Sequence, residues 1–244
     1  VADSVHSLSD TITDVVLLGC FYFANKPADP KHPYGHGRFE TLATTVIALV
    51  LFWVGVEILY PACMKIKLVL QGGVLEQPTF IAFIMAPISI LIKEVMYRYT
   101  MHNAKQIRSQ AMVANAWHHR SDAFSSIGTM IGIGAAYFLG NKWVILDPIA
   151  ASIVSLFIFK IGLDIFKPAM AEFLQSSIPE EEIKEIKIIA KSVAEVIDVH
   201  DIKTHKIGPY ISIEMHMHLP KKLSFVQVHD ITETIEQKLK DHFS

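Results

Sequence analysis

Ala116-Trp117-His118-His119-Arg120-Ser121-Asp122 stands immediately before an apolar run from Ala123 to Leu139. On a helix, His118 and Asp122 are four residues and one turn apart, on the same face. Much earlier His6 and Asp10 repeat that spacing, again ahead of an apolar run, Val15 to Ala24. Imidazole and carboxylate are the non-sulfur side chains that borderline divalent ions such as zinc accept. Two such helices facing each other supply two nitrogens and two oxygens to a tetrahedral site. The competing reading is four helix caps and satisfied core groups. Two pairs of this kind, each beside a membrane-length segment, favour the metal site over the caps.

Composition sets the surroundings. Of 244 residues, 51% are hydrophobic and 19% charged, with mean hydropathy +0.36 and formal net charge -2. That is more apolar and less charged than a water-soluble domain. The excess lies before about Phe173; beyond Pro179 the chain turns rich in Glu, Lys and His. A membrane region followed by one small soluble domain is expected, divided as 1–173 and 174–244. The near-neutral charge gives no support for a nucleic-acid partner. Cys20 and Cys63 are the only cysteines and form no CxxC, so they read as buried free thiols.

Five spans are expected, over 2–24, 39–60, 78–97, 111–139 and 144–167. Pro61 is expected to end the second and Pro87 to kink the third. Lys93 and Glu94, near the end of the third, read as snorkelling or paired residues with no catalytic role. Tyr97 to Ser109 is polar and basic. Gly128 and Gly132, four apart, allow close helix packing. Lys26, Lys31 and Arg38 in one connection and Arg98, Lys105 and Arg108 in another place both on the cytoplasmic side, against the weaker opposing signal of Lys65 and Lys67. The soluble tail then lies in the cytoplasm. An odd count that begins outside, in a chain opening at Val1, implies that a first helix is missing.

The connection from Asn25 to Arg38 holds three prolines and two glycines. Asp29, His32 and His36 lie within it, either as a second set of metal ligands or as ordinary loop polarity. In the soluble part, Pro179-Glu180-Glu181-Glu182 opens a helix, with Ser176 or Ser177 as its cap. Val196–His205 and Tyr210–Leu219 read as strands about the Gly208-Pro209 turn, and Phe225–Phe243 as an amphipathic helix. Ile211, Ile213, Met215 and Met217 share one face of the second strand; Ser212, Glu214, His216 and His218 share the other. His200, His205, His216, His218 and His229 are either metal ligands, within one chain or across a dimer, or solvent-facing histidines.

Together these motifs resemble the cation diffusion facilitator family, the zinc and iron efflux transporters. The resemblance rests on Ala2-Asp3-Ser4-Val5-His6-Ser7-Leu8-Ser9-Asp10, Pro27-Ala28-Asp29, His32-Pro33-Tyr34-Gly35-His36-Gly37, His118-His119-Arg120-Ser121-Asp122 and Asp147-Pro148. It implies an α-helical membrane protein with a six-helix transmembrane domain, its first helix missing here, and a small α/β ferredoxin-like cytoplasmic domain. It further implies a homodimer in the lipid bilayer of the inner membrane, exchanging metal for protons by alternating access. Carried over by position, His6, Asp10, His118 and Asp122 form the transport site, and Asp29, His32 and His36 a loop site. His200, His216 and His229 hold zinc as a structural ion in the cytoplasmic domain. Histidine at position 6 is similar to the zinc-preferring members; Fe2+, Cd2+ and Mn2+ are the alternative substrates. Two departures stand out. The chain stops at Ser244, where relatives continue into a last ligand-bearing strand, and Gln175 replaces an Asp that pairs with the counterpart of Arg38.

Rival readings are a membrane metallohydrolase and a metal sensor or scaffold that does not transport. Four protein ligands leave no open metal position, and the chain has no HExxH, which argues against the enzyme.

Overall fold

The computed structural model describes residues 15, 17–73, 80–107, 109–139 and 143–243. His6 and Asp10, half of the expected transport site, lie outside the described residues. The chain divides into two compact units, Val1–Met170 and Ala171–Ser244.

The helices α1 (17–24), α2 (Arg38–Leu70), α3 (Phe80–Gln106), α4 (Gln110–Leu139) and α5 (Leu146–Phe173) follow in order. Leu17, Ile47, Leu51, Ala111, Ala114, Ile158 and Ile161 build a core from α1, α2, α4 and α5. Polar groups share that interior: Thr44, Asn115, His118, Ser121, Asp122 and Ser155 are all buried. The outward faces are apolar instead, with Trp53 70% exposed on α2 and Ile153 64% exposed on α5. Polar inside and apolar outside is the arrangement a hydrocarbon solvent selects. Among the described residues, α2 and α5 are long and apolar enough to cross a membrane. α3 and α4, at 27 and 30 residues, are of similar length but less apolar.

Three helices outrun their expected ends, α5 continuing through Pro168 to Phe173. Pro61 lies inside α2 and does not terminate it; the helix continues to Leu70. A proline removes one backbone hydrogen bond, but leaving the helix in an apolar solvent forfeits many more. The real stop is a Schellman cap, in which Gly73 N–H donates to Leu68 O at 2.9 Å and Gly72 N–H to Val69 O at 3.0 Å. Gly72 has φ +84°, the left-handed conformation that favours glycine, and a Cβ at Gly73 would crowd the Leu68 side chain. α3 likewise continues through the polar stretch to Gln106, held by Arg98–Glu94 at 2.9 Å and by Asn103 Nδ2 donating to Tyr99 O.

Ser109 starts α4 as its cap, its hydroxyl accepting from Met112 N–H at 3.2 Å. Farther along, α4 passes the start of α5 so closely that a Cβ on Gly132 would meet Asp147 Cα at 2.5 Å. Asp147 is itself paired with Lys65 of α2 at 3.3 Å. Ser155 of α5 donates to Gly55 O of α2 at 2.7 Å, fastening those two helices.

The second unit contains α6 (Glu180–Lys191), β1 (Asp198–Ile207), β2 (Tyr210–His218) and α7 (Phe225–Phe243). The strands pair antiparallel, with Val199 opposite Met217, His200 opposite His216 and Ile207 opposite Tyr210. A β-bulge interrupts the ladder between His200 and Lys203, where Asp201 adopts φ +48°. Ile178, Ile186, Ala190, Val199, Ile235 and Leu239 form the core, and Ile211, Ile213, Met215 and Met217 pack against it. The alternation of β2 thus turns its apolar set toward the two helices. The expected serine cap of α6 is not made. Pro179 is the N-cap residue without a side-chain bond, and Ser177 instead shares a 2.8 Å hydrogen bond with Thr204. Thr204 also accepts from Ile178 N–H, so its buried hydroxyl has claimed the serine.

Gly132→Ala must push α4 away from the backbone of α5. Destabilisation of about 1–3 kcal/mol is expected, read as a lower midpoint of thermal unfolding in detergent, while Gly19→Ala, which meets nothing within 4 Å, leaves the midpoint in place.

Candidate metal centres

The connection between α1 and α2 folds locally around Asp29. Its backbone makes a reciprocal bridge with His32, Asp29 N–H to His32 O at 3.2 Å and His32 N–H to Asp29 O at 3.0 Å. Asp29 Oδ1 accepts from His32 N–H at 2.7 Å and Lys31 N–H at 2.8 Å. The His32 N–H bond, ahead of the one from Lys31, holds this carboxyl below the usual carboxylate range.

Around this carboxylate the two imidazoles converge. His32 Nδ1 lies 3.2 Å from Asp29 Oδ1, His36 Nε2 lies 3.5 Å from Asp29 Oδ2, and the rings are 4.4 Å apart. One donor atom from each of the three residues fits within 4.8 Å of the others. Zinc held by nitrogens and oxygens at about 2.0–2.1 Å needs ligand atoms about 3.3 Å apart, so a modest contraction closes the set. His36 is buried, and its Nδ1 sits 3.2 Å from Pro27 O. A carbonyl only accepts, so Nδ1–H donates there and Nε2 is the ring nitrogen turned to Asp29, 3.5 Å from its Oδ2.

On α4, His118 and Asp122 are 2% and 6% exposed. The adjacent ring of His119 lies 5.9 Å from that of His118 and is also buried. Asp122 is held from α3: Lys93 Nζ donates to Asp122 Oδ2 at 2.5 Å. Lys93 therefore reaches across to the candidate site. Its sequence neighbour Glu94 binds Arg98 at 2.9 Å and faces Arg120 at 3.8 Å. Arg120 also lies over the ring of Tyr97 at 4.2 Å and near those of Trp117 and Phe124. Sequence spacing misses Lys93 because its partner is 29 residues away; the available signal is an ammonium group within an apolar helix. Glu40 Oε1 and Asn115 Oδ1 are further buried polar atoms without a hydrogen-bond partner, and the sequence reading assigns neither a role.

In the second unit, His200 and His216 meet across the strands with ring centroids 5.7 Å apart. His200 Nδ1 is 3.9 Å from Asp198 Oδ2, and His216 Nδ1 is 3.9 Å from Asp201 Oδ2. His229 lies on α7 and pairs with Glu233 at 3.3 Å. Among the described residues, Asp29, His32 and His36 are the only group of three or more potential ligands drawn within 4.8 Å, so His229 does not complete a set with His200 and His216 in a single chain.

Comparison with known proteins covers both units. Residues 1–174 match the cation efflux transmembrane domain, and residues 178–244 match the cytoplasmic domain of cation efflux proteins. An uncharacterized transporter of Methanocaldococcus jannaschii is 36% identical over 98% of this chain and 82% of its own length. The manganese efflux system protein MneP of Bacillus subtilis is 31% identical over 100% of this chain and 82% of its own. The magnetosome protein MamB of Magnetospira sp. is 29% identical over 98% of this chain and 80% of its own. With a polar-lined helical bundle, a small α/β unit and matches along nearly its whole length, the chain belongs to the cation efflux family, the cation diffusion facilitators, as an integral membrane protein with a cytoplasmic domain.

Proposed function

We propose that this chain exports divalent metal ions, zinc foremost, in exchange for protons, through a site formed by His118 and Asp122 with His6 and Asp10. The observation that carries this reading is the burial of His118 and Asp122, one turn apart, on the polar inward face of α4. Ionisable side chains are rare in membrane-spanning helices, and an imidazole and a carboxylate held together inside such a bundle mark an ion pathway. Two nitrogens and two oxygens suit Zn2+, whereas the harder Mn2+ favours oxygen ligands. Manganese is the second reading, because relatives at 31% and 32% identity are manganese efflux system proteins.

Proton exchange follows from the ligand chemistry. Metal requires neutral imidazole and ionised carboxylate, so protons compete for the same atoms. A rearrangement of helices that opens the site alternately to the two sides then converts this competition into antiport. Asp29, His32 and His36 hold a second zinc at the connection between α1 and α2. His200, His216 and His229 serve a structural zinc in the cytoplasmic domain, with the set completed across a homodimer. That arrangement accounts for the separation of His229 from the other two within one chain.

In vesicles containing the purified protein, an imposed pH gradient should drive zinc flux, tested against Mn2+, Fe2+ and Cd2+ at two gradients. Zinc binding without flux would identify a sensor or scaffold, and flux indifferent to the gradient would remove the antiport. His118→Ala and Asp122→Ala should each lower flux by more than the roughly 10- to 100-fold lost on removing a partner that only supports a ligand. Retained flux in both would dismiss the site. At the loop, Asp29→Asn should weaken zinc binding by about tenfold or more, measured as zinc retained per chain after dialysis. The substituted amide oxygen can still accept the two backbone N–H bonds, so the loop keeps its shape.

A further inference from the structure

We propose that Lys93 is a built-in counter-cation of the transport site, holding Asp122 when the site is empty and yielding it when metal binds. The inference rests on the assignment of Asp122 to that site. Lys93 Nζ is 2.5 Å from Asp122 Oδ2, with the side chains 24% and 5% exposed. The carboxylate oxygen it occupies is one that a metal ion would take.

Asp122 and Lys93 carry one charge each and cancel. A divalent ion that takes the carboxylate must therefore displace the ammonium and sit beside a like charge, which in a low-dielectric surrounding weakens metal binding and favours release. The lysine stem has four carbons and a rotatable ammonium, so it can withdraw without moving the helix.

Neighbouring contacts hold α3 against α4 at this point. The next residue, Glu94, faces Arg120 at 3.8 Å, and the Arg120 guanidinium lies 4.2 Å from the Tyr97 ring centroid. These contacts tie α3 to α4 within one turn of Asp122 and hold the ammonium beside the carboxylate it balances. Residues 93 and 94 thus divide the work, one answering the ligand and the other fixing the distance.

The test uses the full chain in vesicles, with zinc as the probe. Lys93→Gln should lower the KM for zinc by about tenfold or more and lower the maximal flux, because metal binds more tightly and leaves more slowly. Lys93→Arg, which keeps the charge, should hold both values within about threefold of the unsubstituted protein. An unchanged or raised KM in Lys93→Gln would overturn the proposal, since a merely structural lysine weakens the site when lost. Should Lys93→Gln fail to fold, the unsubstituted protein decides: zinc should increase the acylation rate of Lys93 by a water-soluble amine reagent, and no zinc-dependent change would overturn the proposal. Asp122→Asn separates the two ideas. If it transports zinc normally the site assignment falls; if it loses transport while Lys93→Gln shows no tighter binding, only the role of Lys93 falls.

Discussion

An ionised carboxylate withdrawn from water needs a positive charge against it, and Asp122 meets that demand from the neighbouring helix. The effective penalty for burying one such ion is several kcal/mol, comparable with the net stability of a whole domain. The Lys93 contact therefore constrains the bundle as a whole: α3 must lie along α4 in a register that brings residue 93 to residue 122. Once that register is set, Glu94 falls beside Arg120, and Arg120 over Tyr97.

The same helix carries the packing as well as the charge. Ala111 and Ala114 enter the core with Ile47, Leu51, Ile158 and Ile161, and Gly132 permits contact with the start of α5. Small residues bring backbones together where a hydrocarbon solvent supplies little force to press large side chains against each other. α4 thus alternates between close-packed positions and ion-handling positions along one inward face. The two uses are compatible because the wide polar groups sit between the narrow alanines and the glycine.

What was legible in the sequence divides along a physical line. Features fixed by local spacing could be read: the His118–Asp122 face, the Asp29–His32–His36 loop, and the alternation of β2 that sends Ile211, Ile213, Met215 and Met217 inward. Features fixed by competition between distant groups could not. Pro61 reads as a stop in water, yet in an apolar bundle the helix passes through it. Ser177 reads as a cap, yet Thr204, 27 residues away, takes its hydroxyl. Lys93 shows only an ammonium near a helix end until the fold places Asp122 beside it. The histidines of the cytoplasmic domain are an intermediate case: strand pairing joins His200 to His216, while His229 stands on another element.

The bulge at Asp201 determines more than a local kink. Before it, Val199 points into the core and His200 points out; after it, Thr204 is the buried residue and Lys203 the exposed one. Across the bulge the interior passes from the odd-numbered Val199 to the even-numbered Ile202 and Thr204. The extra residue is a local parity correction, letting Val199 before it and Thr204 after it both reach the core while His200 and His216 stay together on the wet face. A chain shortened by that one residue would have to choose between burying Val199 and burying Thr204, and the histidine pair would belong to whichever half prevailed.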